Sequence, residues 1–168
     1  MNQICTNKEQ SQRLLEAGVR PETADMVLLY VDDESNIAPW EDIRKDEKGK
    51  FFYDVYGETY TLTESVLLRD SPDYDHSYQD DCPAWSLSKM IDMMPKSYQD
   101  DIDGMVYYLS GNFVELMYAS DWIEDGEGDN TYNCAKSFDK ENLMDNMVDA
   151  IEWLIREGHL NKKFLTDK

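Results

Sequence analysis

Near the end of the chain Leu143, Met144, Met147, Val148, Ile151, Leu154 and Ile155 recur at spacings of three and four, with Asp145, Asp149, Glu152 and Arg156 between them. That is the period of an α-helix with one apolar stripe, and Gly158 is placed to stop it. Such a stripe needs a surface to cover, and the chain upstream offers paired strands. Residues 51–56 and 59–65, rich in aromatic and β-branched side chains, flank Gly57-Glu58, and residues 104–110 and 112–119 flank Gly111. Both read as hairpins. Residues 26–31 (Met-Val-Leu-Leu-Tyr-Val) form a short continuous apolar run, the pattern of a buried strand. Together these predict an α+β fold: an antiparallel sheet built from hairpins, helices packed on one face and a C-terminal amphipathic helix. The 168 residues suit one domain over 1–168.

The remaining elements carry their own punctuation. Thr6 followed by Glu9 fits a capping box for a helix over residues 7–17, and Gly18 can end it in the left-handed conformation with Val19 as the covering apolar contact. Residues 21–25, beginning with Pro21, suit one helical turn. Residues 32–50 are mixed-charge around Trp40 and read as a long loop with one turn of helix, and residues 70–81 read as an exposed loop. Residues 82–95 read as a compact helix with Ser86 as N-cap, Pro95 as its stop and Leu87, Met90, Ile91 and Met94 as its stripe.

Several short segments occur in combination: residues 4–6 (Ile-Cys-Thr), 10–18, 21–26 (Pro-Glu-Thr-Ala-Asp-Met), 83–88 (Pro-Ala-Trp-Ser-Leu-Ser) and 151–155 (Ile-Glu-Trp-Leu-Ile). In these the chain resembles a set of small uncharacterised proteins encoded in gut bacteria and their prophages. The resemblance implies a coherent domain of mobile-element origin. It supplies no catalytic residue.

Charge narrows the function more than any motif. The formal net charge is −20, and residues 51–130 alone carry 18 acids against 3 bases. Phosphate-rich surfaces are repelled, so direct binding to nucleic acid or to an anionic membrane is excluded and a protein partner is expected. With 41% hydrophobic and 12% aromatic residues the chain is too apolar for a disordered acidic tail. No apolar run has the length of a membrane span, and the polar N-terminus lacks the pattern of a signal peptide, which makes the cytoplasm the expected compartment. Cys5, Cys82 and Cys134 are odd in number and widely spaced, and are expected to be free thiols.

Few constellations suggest chemistry. Asp121, Asp125 and Asp129 occupy positions 1, 5 and 9 of a calcium-loop count, but Ile123 and Tyr132 stand at positions 3 and 12, where ligands are needed. They form a weak calcium candidate. No other metal and no cofactor is expected. His76 lies near Cys82 in sequence without the third group that a nucleophilic site requires. Ser-Tyr-Gln-Asp-Asp occurs at 77–81 and again at 97–101, as coincidence permits in a chain rich in Asp and Tyr. Trp122 lies among acids, where an exposed indole makes a natural anchor for a partner. The candidate interaction residues are therefore Trp122, Glu124, Asp125, Glu127, Asp73, Asp75, Asp80 and Asp81. The expected function is that of a non-enzymatic acidic accessory or protein-interaction domain. The alternatives are a nucleic-acid mimic that occupies the basic groove of a DNA-binding or DNA-cleaving protein, and an enzyme of unrecognised class.

Overall fold

The structure, a computed structural model, describes residues 3–72, 74, 81–97, 105–119 and 132–166. The fold is α+β, with antiparallel hairpins and a closing amphipathic helix. The strands form two sheets: β2-β3-β4-β1-β5 and β6-β7-β8-β9, where β1 is Met26–Val31, β2 Arg44–Lys45, β3 Phe51–Val55, β4 Glu58–Leu68, β5 Cys82–Ala84, β6 Lys96–Ser97, β7 Met105–Ser110, β8 Phe113–Ala119 and β9 Tyr132–Phe138. The helices are α1 (Lys8–Ala17), α2 (Leu87–Met93) and α3 (Leu143–Arg156). The chain divides into two compact units, one comprising residues 2–12 and 21–86 and the other residues 13–20 and 87–168 with Met1.

In the first unit β1 is buried along almost its whole length, as its apolar run requires. It pairs antiparallel with β4, Met26 opposite Leu68 and Val31 opposite Thr63, and on its other side with β5. Met26, Leu28, Tyr30, Ala38, Ile43, Leu62, Cys82 and Ala84 form the core on one side of this sheet, with Phe51, Tyr53 and Val66 packed against it. Trp85 is fully buried, and its indole N–H donates to Thr23 Oγ1 at 3.0 Å.

Two expectations in this unit are corrected. The capping box lies one residue later than Thr6 and Glu9. Gln10 N donates to Asn7 Oδ1 at 2.9 Å, and Asn7 N donates back to Gln10 Oε1 at 3.0 Å. Thr6 is unavailable because its buried hydroxyl lies 2.8 Å from Ser11 Oγ and accepts from Trp85 N. Residues 82–95 are not one helix: residues 82–84 form β5, an edge strand where a proline without an N–H is tolerated. Ser86 is tied to Asp25, which takes both its N–H (2.9 Å) and its hydroxyl proton. The 32–50 loop has its expected helical turn, Trp40–Asp42, and adds the short strand β2.

The second unit is organised by α3. Met147, Val148, Ala150, Ile151 and Leu154 are fully buried, and the helix packs on β8, β9 and α2. Each such large apolar side chain contributes about 1.5–3 kcal/mol of burial before entropy. Asn142 caps the helix by accepting from Met144 N at 2.8 Å, and Gly158 (φ 77°) follows its end. The end of α1 is a Schellman motif: Gly18 (φ 103°) donates to Leu15 O and Val19 to Leu14 O, both at 2.9 Å, with Leu14 and Val19 wholly buried. In α2 the buried residues are Met90 and Met93, followed by Met94, whereas Leu87 and Ile91 are half-buried. Strand β6 runs parallel to β7, and β9 was not expected at all.

Candidate interaction surface

The β3–β4 hairpin turns through two residues, since Val55 pairs with Glu58. A two-residue turn that follows the strand twist needs positive φ at both central positions, which favours Asn-Gly. Gly57 meets the demand at φ 87°, but the first position is Tyr56, at φ 50°. Tyr56 is also the most exposed large hydrophobic side chain among the described residues, with a relative exposure of 103%. The tip therefore holds a bulky aromatic residue in a conformation that costs about 1–2 kcal/mol, with no burial in return.

The flanking strand residues extend this tyrosine surface and make it acidic. Tyr53 and Tyr60 are directly paired across the strands, their ring centroids 5.4 Å apart and tilted by 40°. Tyr60 OH donates to Glu58 Oε2 at 2.8 Å, and that bond, with the nearby carboxylate charge, pushes the phenol's pKa up. Burial and the charge of Asp32 push up Tyr53, whose hydroxyl bonds to Asp32. Asp54 accepts from Thr59 Oγ1 at 2.6 Å and lies 3.4 Å from Arg44 Nη1.

Asp32 heads a tight turn after β1. Its Oδ1 accepts from Glu34 N and Asn36 N, both at 2.9 Å, and its Oδ2 accepts from Asn36 Nδ2 at 3.1 Å. These bonds, led by those of Asn36, hold its pKa below the ordinary carboxylate range, so it stays ionised. Glu34 from the same turn contributes charge at both Tyr53 and Tyr60. One face of the hairpin thus sets Tyr53 and Tyr60 against Asp32, Glu34 and Glu58, Asp54 lies on the opposite face, and Tyr56 stands at the tip between them. None of these was singled out from the sequence. The expected turn, Gly57-Glu58, lies one residue too late, because Glu58 already pairs with Val55, and the available signal was Tyr56-Gly57, a tyrosine where the turn asks for asparagine.

Of the residues expected to interact, Asp81 alone is described. It is half-buried and accepts the hydroxyl proton of Tyr74, so the chain itself engages it. Trp122, Glu124, Asp125, Glu127, Asp73, Asp75 and Asp80 lie outside the described residues, as do the calcium candidates Asp121, Asp125 and Asp129, and His76. Among the described residues no group of three or more His, Cys, Asp and Glu is placed to hold a metal, and no helix is long and apolar enough to cross a membrane.

Other chemistry-bearing groups serve the structure. All three cysteines are free thiols. Burial pushes Cys5 up to about 11 and Cys82 up to about 12, which keeps both protonated and unreactive near neutral pH. In the second unit a cleft of about 390 Å³ lies between β9 and α3, bordered by Lys136, Lys140, Asp149, Glu152, Trp153 and Arg156. Two of its carboxylates, Asp149 and Glu152, are already engaged. Arg13 Nη2 lies 2.7 Å from Asp149 and 2.6 Å from Glu152, and Lys140 Nζ lies 2.6 Å from Asp149. At the end of α3 the exposed His159 is 2.8 Å from Tyr118 OH and stacks on Trp153 at 6.0 Å. No protein-family model, no curated protein and no solved structure matches the chain.

Proposed function

We propose that the protein is a non-enzymatic acidic interaction module, and that the tip of the β3–β4 hairpin contacts a partner protein. The observation that carries this is Tyr56, wholly exposed and left-handed at a turn where asparagine fits without strain. Strain that stabilises nothing in the free chain is explained by contacts made in a complex. Tyrosine suits such a role, because it offers a large amphipathic surface at low conformational-entropy cost and is enriched among binding hot spots. The surrounding carboxylates favour a partner with Lys and Arg at its rim, where complementary charge raises the association rate. A cytoplasmic setting belongs to the same reading, as does the mobile-element origin that the sequence resemblance implies.

The test uses Tyr56→Asn, which creates the unstrained Asn-Gly turn. Wild type and variant are immobilised and the proteins they retain from a host lysate are compared quantitatively. The expected result is a partner retained by the wild type and lost by a variant that is itself more stable. Identical retention by both removes the hairpin tip as the contact. Retention confined to nucleic-acid-binding proteins, unaffected by Tyr56→Asn and abolished by high salt, replaces this reading with charge mimicry.

A further inference from the structure

A second feature of the first unit has the opposite sign to the rest of the molecule. Between the start of α1 and β2–β3 lies a cleft of about 240 Å³ to which Lys8, Arg44 and Lys45 contribute, with Ile43 and Phe51 as its apolar lining and Glu9 as its one acid. Three bases against one carboxylate is unusual in a chain that has 36 acids and 16 bases. The cations are also weakly committed. Lys8 Nζ donates to the Ile43 carbonyl at 2.6 Å and forms no ion pair among the described residues. Lys45 Nζ lies 5.1 Å from the centre of the Phe51 ring, whereas the Arg44 guanidinium turns to the other face of the sheet, 3.4 Å from Asp54, and leaves Lys8 and Lys45 as the cations of the cleft.

Lys8 is the informative member. An ammonium drawn partly out of water loses hydration, and a single backbone carbonyl replaces little of it. Its pKa is accordingly lowered, with burial as the leading cause, although Cys82, Asp42 and Glu41 act from a distance in the opposite sense. An anion in the cleft supplies the missing counter-charge. Two separate cations match the charge of a dianion with several acceptor oxygens better than that of a monoanion. The volume, below the roughly 300–1,000 Å³ of pockets for drug-sized ligands, limits the rest of the ligand to a compact apolar body.

We infer that this cleft binds a small phosphate monoester, its dianion held by Lys8 and Lys45 and its organic part resting against Ile43 and Phe51. The site is independent of the hairpin tip, and either reading can fail without the other.

Isothermal titration of the full chain with phenyl phosphate, inorganic phosphate and benzoate tests it, using wild type, Lys8→Met, Lys45→Met and, as a control outside the cleft, Lys162→Met. Phenyl phosphate should saturate at millimolar concentration or below and bind more tightly than the other two probes. Loss of one charge-assisted bond should weaken it about ten-fold in Lys8→Met and measurably in Lys45→Met, with Lys162→Met unchanged. Melting curves establish that each variant is folded, and if Lys8→Met is not, the exposed Lys45 position decides by the same criterion. Absence of saturation, equal affinity in the cleft variants and the control, or benzoate binding as well as phenyl phosphate each overturns the proposal.

Discussion

At Tyr56 the backbone is left-handed and the side chain meets only solvent. Replacing it with asparagine relieves the strain, so Tyr56→Asn should raise the unfolding free energy by about 1 kcal/mol, read as a higher urea midpoint at unchanged slope. Asn146 is the opposite case, a polar residue wholly buried in α3 and fully used. Its carbonyl accepts from Lys140 N at 2.8 Å, and its amide donates to Lys140 O at 2.9 Å and Asn112 O at 2.6 Å. It pins the segment before α3 and the β7–β8 turn to the helix. Asn146→Ala strands three backbone groups and opens a cavity, and should cost about 3 kcal/mol in the same denaturation experiment. A loss of only a few tenths would mean that water replaces the amide without cost. Neither residue was legible in advance: an asparagine inside a helix reads as solvent-facing, and its burial depends on a turn more than thirty positions away in sequence.

Among the elements, those defined by short-range signals were readable. The stripe of α3, the glycine stop of α1 and the two hairpins follow from side-chain period and turn chemistry, which act within a few residues. Strands β2, β5 and β9 were not readable. Arg44–Lys45 is too short and polar, Cys82–Ala84 contains a proline, and Tyr132–Phe138 mixes Asn, Lys and Ser among its apolar residues. Each is an edge of its sheet, and pairing with a neighbour, not propensity, makes it a strand. The α1–α3 ion network is another product of the fold. Hydrogen bonds that Arg13 donates to Glu152 and Asp149 hold it protonated well above its ordinary range. Burial alone would raise the Asp149 pKa, but hydrogen bonds from Arg13 and Lys140 outweigh it and the net shift is downward. A carboxylate depressed in the folded state contributes stability above its unfolded value, near pH 4, and loses it as pH falls through the folded value. The acid limb of a stability curve should therefore be shallower for Asp149→Asn below about pH 4 than for the wild type. Coincident acid limbs would show that the network contributes nothing.

For the molecule as a whole, the excess of acids works against compactness. A chain at −20 repels itself, and added salt screens that repulsion. The melting temperature should rise as sodium chloride goes from about 10 mM to 150 mM, over which the screening length falls from roughly 30 Å to 8 Å. A flat or falling midpoint would mean that ion pairs such as Arg13 with Asp149 and Glu152 outweigh the repulsion. Composition and local pattern by themselves determined the α+β class, the closing helix and the hairpins, because short-range periodicity belongs to the chain whatever it packs against. Tertiary structure alone decided which edges became strands, that Thr6 yields its cap to Asn7, that Asn146 is buried, and that Tyr53 and Tyr60 meet the carboxylates of Asp32, Glu34 and Glu58. It also gathered Lys8 with Lys45 around one cleft. The physical reason is the same in each case: these features depend on groups far apart in sequence, and only the folded chain brings them within hydrogen-bonding and Coulombic range.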